Sequence, residues 1–225
     1  MIENLISTVQ RPSRYLGNEI NVPQKDWAGA RVRMALAFPD VYEVGMSHLG
    51  LLLLYDILNQ HKWIGAERVF ALWPDMETAL RTAGRPLVSL ESATPLAMFD
   101  LVGFSLQYEL SYSNVLTMLE LGGIAPLAAA RKREQPLVIG GGPIAFNPET
   151  LAVFFDALVL GDGEEVVLEI AEVVDQWKTQ GSARLDVLKA LSELEGVYVP
   201  SFFQPRYHNQ DRLDEIRPRF PEKPR

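Results

Sequence analysis

The stretch PLVIGGGPIAFNPETLAVFFDALVLGDGEE, residues 136–165, constrains the fold of this chain more than any other. Two short apolar runs, Leu137–Ile139 and Ala157–Leu160, each lead straight into a glycine-rich turn. Runs of that length bounded by turn residues read as buried strands. Between them, Asn147–Phe155 carries helix-start chemistry, with Asn147 as cap, Pro148 in the first turn and Glu149 behind it. The pattern predicts strand, loop, helix, strand, loop, and a second helix from Glu164 onward. Such a crossover makes neighbouring parallel strands whose loops open on one edge. In an open α/β sheet that edge is where ligands bind.

The rest of the chain extends the alternation. Arg31–Phe38 reads as a central strand, followed by the loop Pro39–Met46 and a helix capped by Ser47 that runs to about Gln60. Ala66–Leu72 is a second strand; Pro74-Asp75 opens a helix that Gly84 stops, and Leu87–Leu90 suggests an extra short strand. Leu101–Leu106 is the third main strand, with a helix capped by Ser111 and ended by Gly122-Gly123. Past Gly163, Val166, Val167, Ile170, Val173, Val174 and Trp177 fall at helical spacing. Five alternations predict an α/β fold, a doubly wound, mostly parallel five-stranded sheet with helices on both faces, in the flavodoxin-like order 2-1-3-4-5. Ala183–Leu194 then reads as a further helix and Gly196–Pro200 as a short strand. Residues 1–29 are expected to form an N-terminal arm with a short helix, 30–200 the Rossmann-like domain, and 201–225 a linker.

Composition removes several function classes. The net charge of −8 disfavours non-specific nucleic-acid binding. Without cysteine, this stretch offers no thiolate nucleophile and no cysteine-held iron–sulfur cluster. His48, His61 and His208 stand far apart, outside zinc-ligand spacing. No apolar run reaches spanning length and no basic-then-apolar leader is present, so a cytoplasmic location is expected.

The candidate site lies in the loops. Gly140–Gly142, Gly161 and Gly163 leave space beside the strand ends, either because a strand-to-helix turn needs glycine or because a bulky ligand approaches the backbone there. Neither loop matches the dinucleotide fingerprint or the phosphate loop, and Asp162, Glu164 and Glu165 place carboxylates where a phosphate would want bare amides. A ligand with hydrogen-bond donors or a large planar face fits better. His48 is either a helix-start histidine bonded to backbone or a ligand contact. Gln107–Asn114 offers two phenols and several hydroxyl or amide groups, for a ligand or for capping. Asp40 and Glu43 could do acid–base work but read better as capping or solvated carboxylates, and Trp73 is an aromatic wall or, the better reading, core.

Five segments carry a resemblance: FPDVYEVGMSHLG (Phe38–Gly50), VFALWPDME (Val69–Glu77), DLVGFSLQYELSYSNVL (Asp100–Leu116), GGGPIAFNPE (Gly140–Glu149) and FDALVLGDGEEV (Phe155–Val166). Together they resemble a family of bacterial radical S-adenosylmethionine (SAM) proteins that begin with a cobalamin (B12)-binding-like domain. The resemblance implies cobalamin in this domain, contacted by Gly140, Gly141, Gly142 and Pro143 and by Gly161, Asp162, Gly163 and Glu164. From the loop reading itself, Tyr42, Gly45, Ser47 and His48 of the first loop, and Ser105, Gln107 and Tyr108 of the third, are further candidate contacts. The resemblance also implies a downstream radical SAM domain holding a [4Fe-4S] cluster and SAM, so this module would not be catalytic alone. The usual Asp-x-His-x-x-Gly motif is absent: Asp40 and His48 are eight positions apart, and Gly50 follows His48 too soon. That leaves cobalamin held without a protein ligand, or no cobalamin, as the alternatives. A second reading is a degenerate Rossmann-like docking or RNA-substrate-recognition module, expected if Tyr108, Tyr112 and Phe146 close the loop edge.

Overall fold

A computed structural model describes residues 3–17, 19–20, 22–23, 29–208 and 212–219. A short helix α1 (Glu3–Ile6) precedes β1 (Val32–Phe38), which leads through a one-turn helix α2 (Tyr42–Gly45) into α3 (Leu49–Gln60). There follow β2 (Ile64–Phe70), α4 (Pro74–Ala83), β3 (Leu101–Ser105), α5 (Tyr112–Leu121), β4 (Leu137–Gly141) and β5 (Ala157–Val159). The chain continues through α6 (Val166–Gln180), α7 (Arg184–Leu191), β6 (Val197–Tyr198), β7 (Phe203–His208) and β8 (Arg212–Pro218).

Strands pair in the order β2-β1-β3-β4-β5-β6. The first five are parallel, in the flavodoxin-like order the sequence predicts, and β6 adds an antiparallel edge through Leu158–Tyr198 and Val159–Val197. Side chains alternate across the sheet as period-two geometry demands. Met34, Leu36, Leu101, Ile139 and Val159 face α3 and α6, while Ala35, Ala37, Val102, Phe104 and Val138 face α5. Every residue of β2 is buried although it is an edge strand. The segment around Leu90 covers it: Leu90 N donates to Arg68 O and Arg68 N donates to the Glu91 carboxylate.

At the amino ends of β4 and β5 sits a buried charge cluster. Asp156 Oδ2 accepts from Val138 N, Arg131 Nη1 and Arg184 Nη2, each at 2.8 Å. Arg131, whose side chain is fully buried, also donates to Ala125 O, Pro126 O and Phe154 O. Removing one partner from such a set leaves a buried charge uncompensated, at a cost of about 3–5 kcal/mol.

Several sequence expectations need correction. Asn147–Phe155 is no α-helix; the whole β4–β5 connection is built from 3₁₀ turns at Pro143–Phe146, Pro148–Thr150 and Ala152–Phe154. Two prolines remove amide donors there, and Asn147 makes no side-chain cap. Leu87–Leu90 contributes only a single bridge, Val88 to Pro95. His48 rather than Ser47 caps α3, and the Ser111 hydroxyl donates to Tyr108 O instead of accepting from the helix. Trp73 is 41 % exposed, with the Arg14 guanidinium 4.7 Å over its ring, so it is not core. The stretch read as a linker contains the antiparallel hairpin β7–β8, tied to the domain by Arg219 N donating to Phe202 O. Its 209–211 and 220–225, and 24–28 of the arm, lie outside the described residues. The described part of the arm packs on the domain, with Ile6 and Val9 against Met76 and Leu80 of α4.

Candidate functional site

The alternation across the sheet also makes a cavity. On β4 the odd positions Leu137 and Ile139 point towards α3 and α6, and Gly141 continues that row with no side chain. On β3, Gly103 does the same beyond Leu101, followed by the small Ser105. A Cβ built on Gly103 would meet nothing closer than 3.7 Å, on Gly141 nothing closer than 3.6 Å, and on Gly161 nothing within 4 Å. Three adjacent positions thus withhold volume that larger side chains would fill. The result is an open cavity of about 560 Å³ at the carboxyl edge, within the range of small-molecule sites. Its floor is β1, β3, β4 and β5; Leu54 of α3 and Val166, Val167 and Ile170 of α6 form the facing wall.

Eleven of the fifteen candidate contacts line this cavity. They are His48; Ser105 and Gln107; Gly140, Gly141, Gly142 and Pro143; and Gly161, Asp162, Gly163 and Glu164. The glycines there do different jobs. Gly140 points to the other face, where a Cβ would come within 2.9 Å of Leu106, Leu158 and Phe155, so it is glycine for packing. Gly142 has φ +114° and would press a Cβ to 2.5 Å from Leu106 O, so it is glycine for the turn. Gly141 and Gly161 border empty space.

The other four lie elsewhere. Tyr42 donates to Glu19 and packs its ring edge-on against Phe70, 5.4 Å between centroids. Gly45 is pressed against Phe70 and Phe38, where a Cβ would fall at 2.4–2.9 Å. Ser47 is exposed and donates to Val44 O. Tyr108 donates to Asp40 Oδ2 at 2.5 Å, across the rim and outside the cavity lining. Sequence reasoning missed Gly103 and the facing wall of Leu54, Val167 and Ile170. The signal for Gly103 was its place in the odd-numbered row of an apolar strand.

The polar groups divide in the same way. On the β1 side the functional-looking groups have partners: Tyr108 with Asp40, Glu43 with Arg11 and Arg14, and Asn114 with Pro39 O; Tyr112, at the start of α5, pairs with Thr150 of the β4–β5 connection. The Arg14 guanidinium holds the Glu43 carboxyl below its ordinary value, and the bond to Asp40 raises the Tyr108 phenol. Burial, helped by the bond to Glu19, pushes Tyr42 up to about 12. Around the cavity, by contrast, the side chains of Ser105, Gln107, Asp162 and Glu164 have no partner among the described residues. Among the described residues, no lysine or arginine lines it. Tyr108 and Tyr112 are bonded away from the mouth, and Phe146, 69 % exposed, stands at its margin without closing it.

Among the described residues, no three His, Cys, Asp or Glu side chains gather as a metal site, and no helix is long and apolar enough to cross a membrane. No curated protein matches the chain. A family model described as "Radical SAM proteins, N-terminal" matches residues 50–200, more than half of the chain, from α3 to the end of β6 and so every strand of the sheet except β1.

Proposed function

The chain belongs to the radical SAM N-terminal family, and from that premise we propose that it holds cobalamin at its carboxyl edge for a downstream [4Fe-4S]/SAM domain of the same protein. The observation that carries the proposal is the glycine-floored apolar cavity between the sheet and α3 and α6. Its chemistry suits the flat, uncharged end of the cofactor's nucleotide tail. Gly103 and Gly141 admit a planar group against the sheet, and Leu54, Val167 and Ile170 keep water from its other face. Ser105 and Gln107 offer donors and acceptors at the mouth, and the Asp162 and Glu164 carboxylates accept from amide or hydroxyl donors. The corrin would lie across the rim over Gly140–Pro143 and Gly161–Glu164. Bound there, cobalamin would supply methyl transfer, to an unactivated carbon or phosphorus. This chain's residues bind and orient; catalysis would fall to the downstream domain.

The domain proper would be residues 30–200, clasped by the arm 1–29, with 201–225 leading towards the next domain and the whole working in the cytoplasm. Adding hydroxocobalamin to the purified chain should give co-migration on gel filtration and a changed visible spectrum. Free elution with an unaltered spectrum would remove cobalamin from the account. In that event the second reading, a cofactor-free docking module, gains from Leu49 and Leu110, 78 % and 84 % exposed at this edge. RNA recognition is disfavoured by a net charge of −8 and by a cavity to which no described residue contributes a lysine or arginine.

A further inference from the structure

His48 sits where α3 begins, with extended backbone, φ −76° and ψ 109°. Its Nδ1 accepts a hydrogen bond from Leu51 N at 3.1 Å, satisfying one of the amides that a helix start leaves without a partner. That bond fixes the ring's chemistry. An Nδ1 that accepts carries no proton, so the neutral imidazole carries its proton on Nε2. Nε2 is therefore the one ring nitrogen left for a ligand, on a side chain that lines the cavity mouth. A metal bound at Nε2 would need the lone pair there, which moves the proton to Nδ1. Two N–H groups would then face each other across the 3.1 Å gap, and the cap would be lost.

We infer that His48 is a positioning residue that donates from Nε2–H to an acceptor atom of the ligand, and that it does not ligate cobalt while α3 stays capped. The inference deepens the cobalamin reading and rests on it for the identity of the acceptor, which would be a carboxamide oxygen at the corrin periphery. Lining the same cavity, the Asp162 and Glu164 carboxylates, without partners among the described residues, complement it by accepting from the amide nitrogen of such groups. A neutral, carboxamide-bearing rim would thus be read by one donor and two acceptors. An anionic ligand would meet the carboxylates instead.

The ring state can be read without any ligand. With ¹⁵N-histidine labelling at about pH 8, above the ordinary imidazole range, the signal lost in His48→Asn should report a protonated Nε2 and an accepting Nδ1. A protonated Nδ1 would overturn the inference whatever cobalamin does. The same variant separates cap from donor, because asparagine is a favoured cap but has no Nε2–H. His48→Asn should keep the wild-type unfolding midpoint and His48→Ala should lower it, while both bind hydroxocobalamin about tenfold more weakly. Wild-type affinity in His48→Asn would refute the donor role. In the complex with cob(II)alamin, the axial nitrogen splitting should not respond to ¹⁵N-histidine; a response would establish the cobalt bond excluded above. Should cobalamin not bind at all, the cofactor reading falls, and the tautomer alone decides whether His48 is fixed as a donor.

Discussion

The two halves of the carboxyl edge are built from the same kind of loop and have opposite fates. On the β1 side, Asp40, Tyr42, Glu43, Tyr108 and Asn114 are bonded to one another, to the N-terminal arm or to backbone. On the β3–β5 side, Ser105, Gln107, Asp162 and Glu164 face a cavity with no protein partner among the described residues. Polar residues in a loop are therefore no guide to a site by themselves. What separates the halves is volume: the row through Gly103 and Gly141 leaves space, while the β1 loop is filled, with Gly45 itself wedged against two phenylalanines.

The largest expected effect tests what holds the open half in place. Asp156→Ala strands Arg131 and Arg184 at the amino ends of β4 and β5 and should cost about 3–5 kcal/mol in denaturant unfolding. A loss below about 1 kcal/mol would show the cluster to be dispensable. Next come two neighbouring glycines with opposite outcomes. Gly141→Leu sends its side chain into the cavity and should weaken cobalamin binding by about a hundredfold, or about 2.8 kcal/mol, with little change in stability. Gly140→Leu overpacks Leu106, Leu158 and Phe155 and should destabilise by about 1–3 kcal/mol. Equal behaviour of the pair would break the face assignment.

The closed half should respond to alkali rather than to ligand. The Tyr42 phenol has a folded value of about 12 against 10.0 for an ordinary tyrosine, chiefly through burial. A raised value means its stabilisation is intact below pH 10 and is lost as pH climbs from 10 towards 12. Tyr42→Phe should make the loss of stability over that window shallower, measured by denaturant unfolding at a series of pH values. The smallest effect is expected of Tyr108→Phe, which breaks an exposed bond to Asp40. It should change stability by less than about 1 kcal/mol and leave cobalamin affinity at the wild-type level. A marked loss of affinity would move the site across the rim.

Much of this was legible from residue order alone. Leu137–Ile139 and Ala157–Leu160 announce buried strands, and the repeated alternation with helices fixes a parallel doubly wound sheet with its order. The antiparallel direction of β6 is not written in Val197-Tyr198, because two residues carry no orientation. The 3₁₀ path after Gly142 was hidden because Asn147-Pro148-Glu149 has the composition of a helix start. In that connection Phe154 O instead accepts from Arg131, 23 residues away in sequence, a contact no local pattern announces. The glycine loops stood out, but their division of labour did not. Gly140, Gly141 and Gly142 are identical in sequence, and only the strand's alternation assigns them to core, cavity and turn.

Hydrogen exchange with and without cobalamin tests the asymmetry of the rim most directly. New protection is predicted at 139–146 and 160–167, with 39–47 exchanging as in the free protein. Protection centred on 39–47, or none anywhere, would contradict the assignment of the ligand to the open half.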